Sequence, residues 1–418
     1  MPYLSHSFVL RGLTAAILAT MLAACGGGGG GSDSGSKPDN KPNPKPDTTI
    51  ETTVDTTTET TQTTETTTDT TTTTVTGSPV VEQNDGTGPN TNPAPAPSGE
   101  EAVLSPYELA VYNRLNLRRS ACGFGGLANE PRLTQAADNH VNYLLYMNKN
   151  SDQAFQGHYE RLVDAFSGNK NPYFTGESVV NRIATGADKG AKAQPVNYAY
   201  QTVAENLSYL SFNDTYFKQM GDEKVALSGI NGLLAAPYHM ASLLSPNFTE
   251  IGVSYGRDTV KVPMLLSDGS RVKGQGSVLE MVLATPYGKV VQVPSQVVNY
   301  PCEGVTGTQY ELKHESPNPF GADGRDLGKN PIGQPIYILG NGNLSVTNYK
   351  MTDAANQPIA LQALTAANDK NKILEANQVI LMPLTPLKPA QSYRVTYTVS
   401  VNGAASEVKT FTFTTKAA

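Results

Sequence analysis

The stretch Asn231 to Gly256, NGLLAAPYHMASLLSPNFTEIGVSYG, decides how the rest of the chain is read. An apolar helical segment runs into Pro237 and a lone His239. A second apolar turn, Ala241 to Leu244, is broken by Ser245-Pro246-Asn247. Ile251, Val253 and Tyr255 then alternate with small or polar residues, the period-two spacing of a strand. This pattern predicts His239 at a helix–turn–strand junction, where side chains project into clefts and where ordinary loops also form.

Working outward, Ser105-Pro106-Tyr107-Glu108 reads as a helix start. Ser105 can cap, Pro106 suits the first helical position and Glu108 completes a capping box. Leu109, Tyr112 and Leu115 follow at helical spacing. In the next segment Leu133, Ala137, His140 and Leu144 share one helix face, so His140 reads as a packed or hydrogen-bonded residue at the core margin rather than a ligand. Then come Gln156-Gly157-His158-Tyr159, Phe174-Thr175-Gly176, Asn181-Arg182-Ile183 and Ala204-Glu205-Asn206-Leu207. Beyond Gly256, Val260 to Leu266 and Ser277 to Leu283 read as strands, with Asp268-Gly269 as a hairpin turn.

These motifs resemble the CAP superfamily, which contains the cysteine-rich secretory proteins, antigen 5 and the plant pathogenesis-related proteins. Its bacterial branch places a His just after a Pro, then an L-L-x-P turn, then T-E-I-G-V and a strand. The resemblance implies an α+β fold, an α-β-α sandwich. It also implies a site made of His158, Glu205 and His239, with Asn206 as a backbone-bonding structural residue and Glu177 as a loop or helix-start carboxylate. Many members carry a second Glu on the third helix, read here as Asp222 to Ala236. At that turn this chain has Ala235 and Ala236, with Leu233 where many members have Trp. The family's two His and two Glu are thus reduced to three residues. Two imidazoles and one carboxylate suit a divalent transition metal such as zinc, with water completing the shell. They suit a hydrogen-bonded cluster without metal equally well.

The N-terminus carries Arg11 and an apolar run from Leu13 to Ala24, too short to span a bilayer. Residues 1–24 read as a signal peptide. Leu22-Ala23-Ala24-Cys25 resembles a bacterial lipobox, which implies acylation of Cys25 and anchoring in a membrane. Gly26 after it implies sorting to an outer membrane, so the expected location is the cell envelope or surface of a bacterium. Residues 25–100 run from oligo-Gly through a Thr tract to Pro-Ala repeats and offer no apolar pattern. They read as a disordered tether, with a reach of roughly 50 Å or more. Of the three cysteines, Cys122 and Cys302 remain as a pair able to close a long loop in an oxidising compartment.

Residues 101–303 are assigned to the CAP domain and 304–418 to a second domain. In the latter, turn residues multiply, and Ile336–Leu339, Val379–Leu384, Tyr393–Val401 and Val408–Thr414 read as strands. Tyr393, Val395, Tyr397 and Val399 alternate with polar residues, the pattern of an antiparallel sandwich. The run from Pro386 to Tyr397, with Phe411 to Thr415, resembles bacterial Ig-like modules. His314, in a Lys-His-Glu run, reads as solvated.

The net charge of −6 gives no reason to expect nucleic acid as a partner. G-x-S-x-G, H-E-x-x-H and a Gly-rich phosphate loop before a helix are all missing from the sequence. The family's association with sterols, fatty acids and other lipids implies a surface-tethered module that binds a lipid, another hydrophobe or a cell-envelope component. The alternatives are a metal-dependent hydrolase using Glu205 with His158 and His239, and a structural or adhesive lipoprotein with a vestigial cleft.

Overall fold

The computed structural model describes residues 104–418 except 151–156, 164–169, 185–188, 262–263, 266–270, 273 and 292. The expected signal peptide, the expected lipidation at Cys25, the expected tether and the expected Asp268-Gly269 turn lie outside them. Among the described residues no helix is long and apolar enough to cross a membrane.

Helix α1 (Pro106–Ala121) begins as its sequence dictates. The Ser105 hydroxyl accepts from the Glu108 N–H at 3.4 Å, and the Glu108 carboxylate accepts from the Ser105 N–H at 2.7 Å. The other Glu108 oxygen accepts from the Tyr255 N–H at 3.1 Å, which ties this helix start to the sheet. Strand β1 (Ala128–Asn129), α2 (Pro131–Asn150), α3 (Val179–Ile183), β2 (Tyr200–Asn213), α4 (Asp214–Leu233) and α5 (Pro237–Leu243) follow. Then come β3 (Glu250–Thr259), the short pair β4 (Met264–Leu265) and β5 (Arg271–Val272), and β6 (Gly274–Pro286). Helix α4 starts earlier than the expected Asp222 and is interrupted at Gly221, whose φ of 73° breaks the helix. The strand expected over Val260 to Leu266 is shifted. β3 runs on to Thr259, and among the described residues of that segment 264–265 are extended.

The sheet order is β1-β3-β6-β2, antiparallel except for the β1–β3 edge. Alternation along β6 sorts its two faces. Val278, Val282 and Ala284 pack with residues of α2, α3 and β2. Leu279, Met281 and Leu283 pack with residues of α1, α4, α5 and β3. This is the α-β-α sandwich that the resemblance implies. Gly252 in the E-I-G-V motif explains how closely α2 approaches. A Cβ there would lie 2.0 Å from the Leu133 carbonyl carbon and 2.1 Å from the Thr134 nitrogen.

The C-terminal part is all β: β7 (Val298–Tyr300), β8 (Val305–Thr308), β9 (Ile336–Leu339), β10 (Leu344–Asp353), β11 (Pro358–Ile359), β12 (Leu361–Thr365), β13 (Gln378–Pro383), β14 (Ser392–Val401) and β15 (Glu407–Thr415). One sheet runs β11-β10-β14-β15-β8 and the other β12-β13-β9-β7, a sandwich consistent with an Ig-like domain. Tyr393, Val395, Tyr397 and Val399 are all buried, the inward half of an alternating strand. β7 precedes the expected boundary at 303/304 yet pairs with β9 of this sandwich. Cys122, at the end of α1, forms a disulfide with Cys302. The Phe124 ring stacks on Tyr337 with centroids 5.9 Å apart. One apolar core therefore continues from α1 to β15.

Candidate functional site

Between the two apolar clusters under α2 lies a buried polar layer. Strand pairing sets Glu205 opposite Val282 and Leu207 opposite Glu280, so the two glutamates are diagonal neighbours on the α2 face. His158 Nδ1 lies 2.6 Å from Glu205 Oε1. Arg182, on α3, donates from Nη2 to Glu205 Oε2 and from Nη1 to the His158 carbonyl at 2.9 Å. Its Nε is 3.9 Å from Glu160 Oε1. Glu160 accepts from the Thr175 N–H at 2.7 Å and meets His140 Nδ1 at 2.9 Å. His140 Nε2 lies 3.0 Å from the Gly157 carbonyl and 3.9 Å from Glu280 Oε2. The side chains of His140, His158, Glu160, Arg182, Glu205 and Glu280 are all buried.

Such a layer is tolerable only if its charges compensate one another. Burial pushes the Glu205 carboxyl up, but Arg182, with His140 and His158, more than offsets this and holds it well below the usual carboxylate range. Glu280 goes the other way. Burial first, and then the Glu205 charge, push it well above that range against the pull of Arg182. Among the described residues no donor hydrogen-bonds either Glu280 oxygen. An ionised group in that position would be costly, whereas a protonated one can itself donate to Glu205. Glu205 is therefore the stronger acid of the pair, and Glu280 holds its proton more tightly.

His239 is held differently. Pro237 starts α5, and His239 sits inside this seven-residue helix rather than at its junction with a strand. Its Nδ1 lies 3.2 Å from Glu315 Oε1, and the same oxygen accepts from the Tyr238 N–H at 3.2 Å. The Tyr238 hydroxyl donates to Asp369 at 2.6 Å and accepts from the Asn371 side chain at 2.9 Å. At the other end of α5, Arg119 donates to the carbonyls of Leu243 and Ser245 at 2.6 and 3.1 Å. Burial lowers that guanidinium to about 9. Asn206 donates to the Ser242 hydroxyl at 3.0 Å, so its side chain bonds α5 and not the backbone as expected. Among the described residues, the buried Nε2 atoms of His158 and His239 have no hydrogen-bond partner.

With this geometry in view, the comparisons with known proteins can be placed. The family profile described as the cysteine-rich secretory protein family, CAP, matches residues 112–262. The chain carries a CAP domain. No curated protein matches the chain. Among solved structures, PcoC, a methionine-rich copper resistance protein from Escherichia coli, is 22% identical over 20% of this chain and 83% of that one, with a TM-score of 0.17. CopC from Methylosinus trichosporium OB3b is 13% identical over 21% and 78%, with a TM-score of 0.16. A DUF4426 family protein from Pseudomonas aeruginosa PAO1 is 13% identical over 20% and 65%, also at 0.16. At such TM-scores these likenesses carry no argument about function.

Within the CAP domain, His158 and Glu205 are in direct contact, while His239 is bonded to Glu315 of the C-terminal part. The group whose ligand atoms all lie within 4.8 Å of one another, and which could hold a metal ion, is His140, Glu205 and Glu280. Its chemistry argues against that use. Both ring nitrogens of His140 are already engaged, Nε2 by the Gly157 carbonyl and Nδ1 by Glu160. Glu205 already holds a guanidinium. His140 is thus a hydrogen-bonded core residue, as its place on the α2 face implied. Among the described residues, the Nε2 atoms of His158 and His239 have no hydrogen-bond partner, so each is left to meet a ligand. In each ring Nδ1 faces a carboxylate, the arrangement that orients metal-ligating histidines.

Arg182, Glu160, Glu280 and Glu315 were not singled out from sequence. Glu280 had a readable signal, being the lone charge in the apolar run Ser277 to Leu283. Glu315 had none. It belongs to the run in which His314 was expected to be solvated; His314 is exposed, but Glu315 is buried.

Proposed function

We propose that this protein is an extracytoplasmic binding module, tethered to a bacterial envelope through a lipid on Cys25, whose CAP domain takes a lipid, another hydrophobic ligand or a cell-envelope component. His158 and His239 each offer an Nε2 to a polar group of that ligand or to a divalent metal such as zinc. The observation that carries this reading is two buried imidazole nitrogens for which the described residues offer no partner, each on a ring anchored through Nδ1 by a carboxylate. Buried polar atoms are rarely left unpaired without a use. A metal held there would supply a Lewis-acidic centre for a ligand oxygen.

The hydrolase alternative is disfavoured by Glu205 itself. A carboxylate bonded by Arg182 and His158 and held well below its usual range is a weak base.

The test is calorimetric titration of zinc into the full chain at pH 7.5, with His158→Ala and His239→Ala. Loss of the binding heat in both variants is the expected result. A heat that persists in both places any metal elsewhere. Recovery of envelope lipids on the wild-type chain, but not on the variants, identifies the ligand class directly.

A further inference from the structure

The C-terminal sandwich touches α5 at a chemically pointed place. Glu315 lies between β8 and β9, outside the residues that match the CAP family. Its side chain is fully buried, with Oε1 3.2 Å and Oε2 3.4 Å from His239 Nδ1. Three further residues of the C-terminal part grip the same corner. Asp369 and Asn371 bond the Tyr238 hydroxyl, and Gln334 donates to the Leu234 carbonyl at 2.9 Å. On the CAP side, Ala235 and Ala236 lie in the turn between α4 and α5 that leads to this corner.

We propose that Glu315 is a positioning residue of the His239 site, so that the site is built jointly by the CAP domain and the C-terminal sandwich. The physical reason is the tautomer. A carboxylate against Nδ1 keeps the proton there and leaves the lone pair on Nε2, the atom for which the described residues offer no partner. Burying a carboxylate is costly unless it is well paired. Among the described residues its hydrogen-bond donors are the Tyr238 N–H and His239 Nδ1, one structural and one in the site. The proposal rests on the binding role of His239 set out above, and it adds that the C-terminal sandwich is part of the receptor and not a separate module.

The experiment uses the full chain with Glu315→Met, which keeps the length and removes the acceptor, and Glu315→Gln, which keeps an acceptor oxygen. Long-range nitrogen–proton NMR of the imidazoles, assigned with His239→Ala, reads the tautomer, and zinc titration reads affinity. The wild-type His239 should be protonated on Nδ1 with a free Nε2. Glu315→Met should shift it toward the Nε2–H form and weaken zinc about 10–100-fold, the usual effect of losing an outer-shell partner. Glu315→Gln should retain the tautomer and most of the affinity. A purely structural role would lower the melting temperature of Glu315→Met and leave the tautomer unchanged, which overturns the proposal. So does a wild-type His239 protonated on Nε2, a result that needs no variant to fold. If the wild-type chain binds no zinc, the metal reading fails, and the tautomer measurement still decides Glu315.

Discussion

Arg182→Met tests the electrostatic account of the buried layer. Arg182 is 1% exposed and bonds both Glu205 and the His158 carbonyl. Removing one partner of a buried ion pair costs about 3–5 kcal/mol. The lost hydrogen bond to the carbonyl adds about 1 kcal/mol. Methionine fills most of the vacated volume, so a cavity adds little. The expected loss of unfolding free energy at pH 7 is about 4–6 kcal/mol, read from urea unfolding followed by circular dichroism. Without the guanidinium, Glu205 escapes part of that loss by taking a proton. Each unit of pH changes the cost of doing so by about 1.36 kcal/mol, so at pH 5 about 2.7 kcal/mol is recovered and roughly 1–3 kcal/mol of loss remains. The wild-type chain behaves in the opposite sense at this residue. Glu205 has a lowered folded pKa, so its contribution is present above the unfolded value and lost as pH falls through the folded one. A loss under about 1 kcal/mol at pH 7, or one that grows on acidification, would refute the argument.

Glu280→Gln removes a group whose folded pKa is raised, and whose stabilisation is full at low pH and lost as pH rises through that pKa. The variant should therefore gain on the wild type as pH rises from 5 to 8, measured by melting temperature; a constant difference would contradict a protonated Glu280. Gly252→Ala should destabilise by about 3 kcal/mol or more, because the new methyl would meet helix backbone and not a movable side chain. A denaturation midpoint equal to wild type would show that α2 can move away. Replacing Cys122 and Cys302 together by Ala opens a loop with a sequence separation of 180 and should cost up to about 5 kcal/mol in the chain-entropy account, read from the denaturant midpoint. Cys25→Ser should leave the protein unlipidated and in the soluble fraction, and fatty-acid labelling as strong as in the wild type would sink the lipobox reading.

The sequence alone determined the elements whose signals are local. Ser105 and Glu108 three residues apart specify a helix start whatever surrounds them, and the box is present. Alternation from Tyr393 to Val399 specifies one buried strand face, because side chains along a strand alternate with period two. The E-I-G-V motif marks a strand, and its glycine is where a helix backbone comes within 2.0 Å of the would-be Cβ. The tertiary structure alone decided who meets whom. His158 and Glu205 are 47 residues apart and in contact. Arg182 and Glu280 join them only because α3 and the register of β2 on β6 bring them there. Glu315, 76 residues beyond His239, follows no spacing rule at all. Charge compensation in a buried layer depends on distances of a few ångströms, and those are set by packing between elements. Periodicity along one element cannot express them.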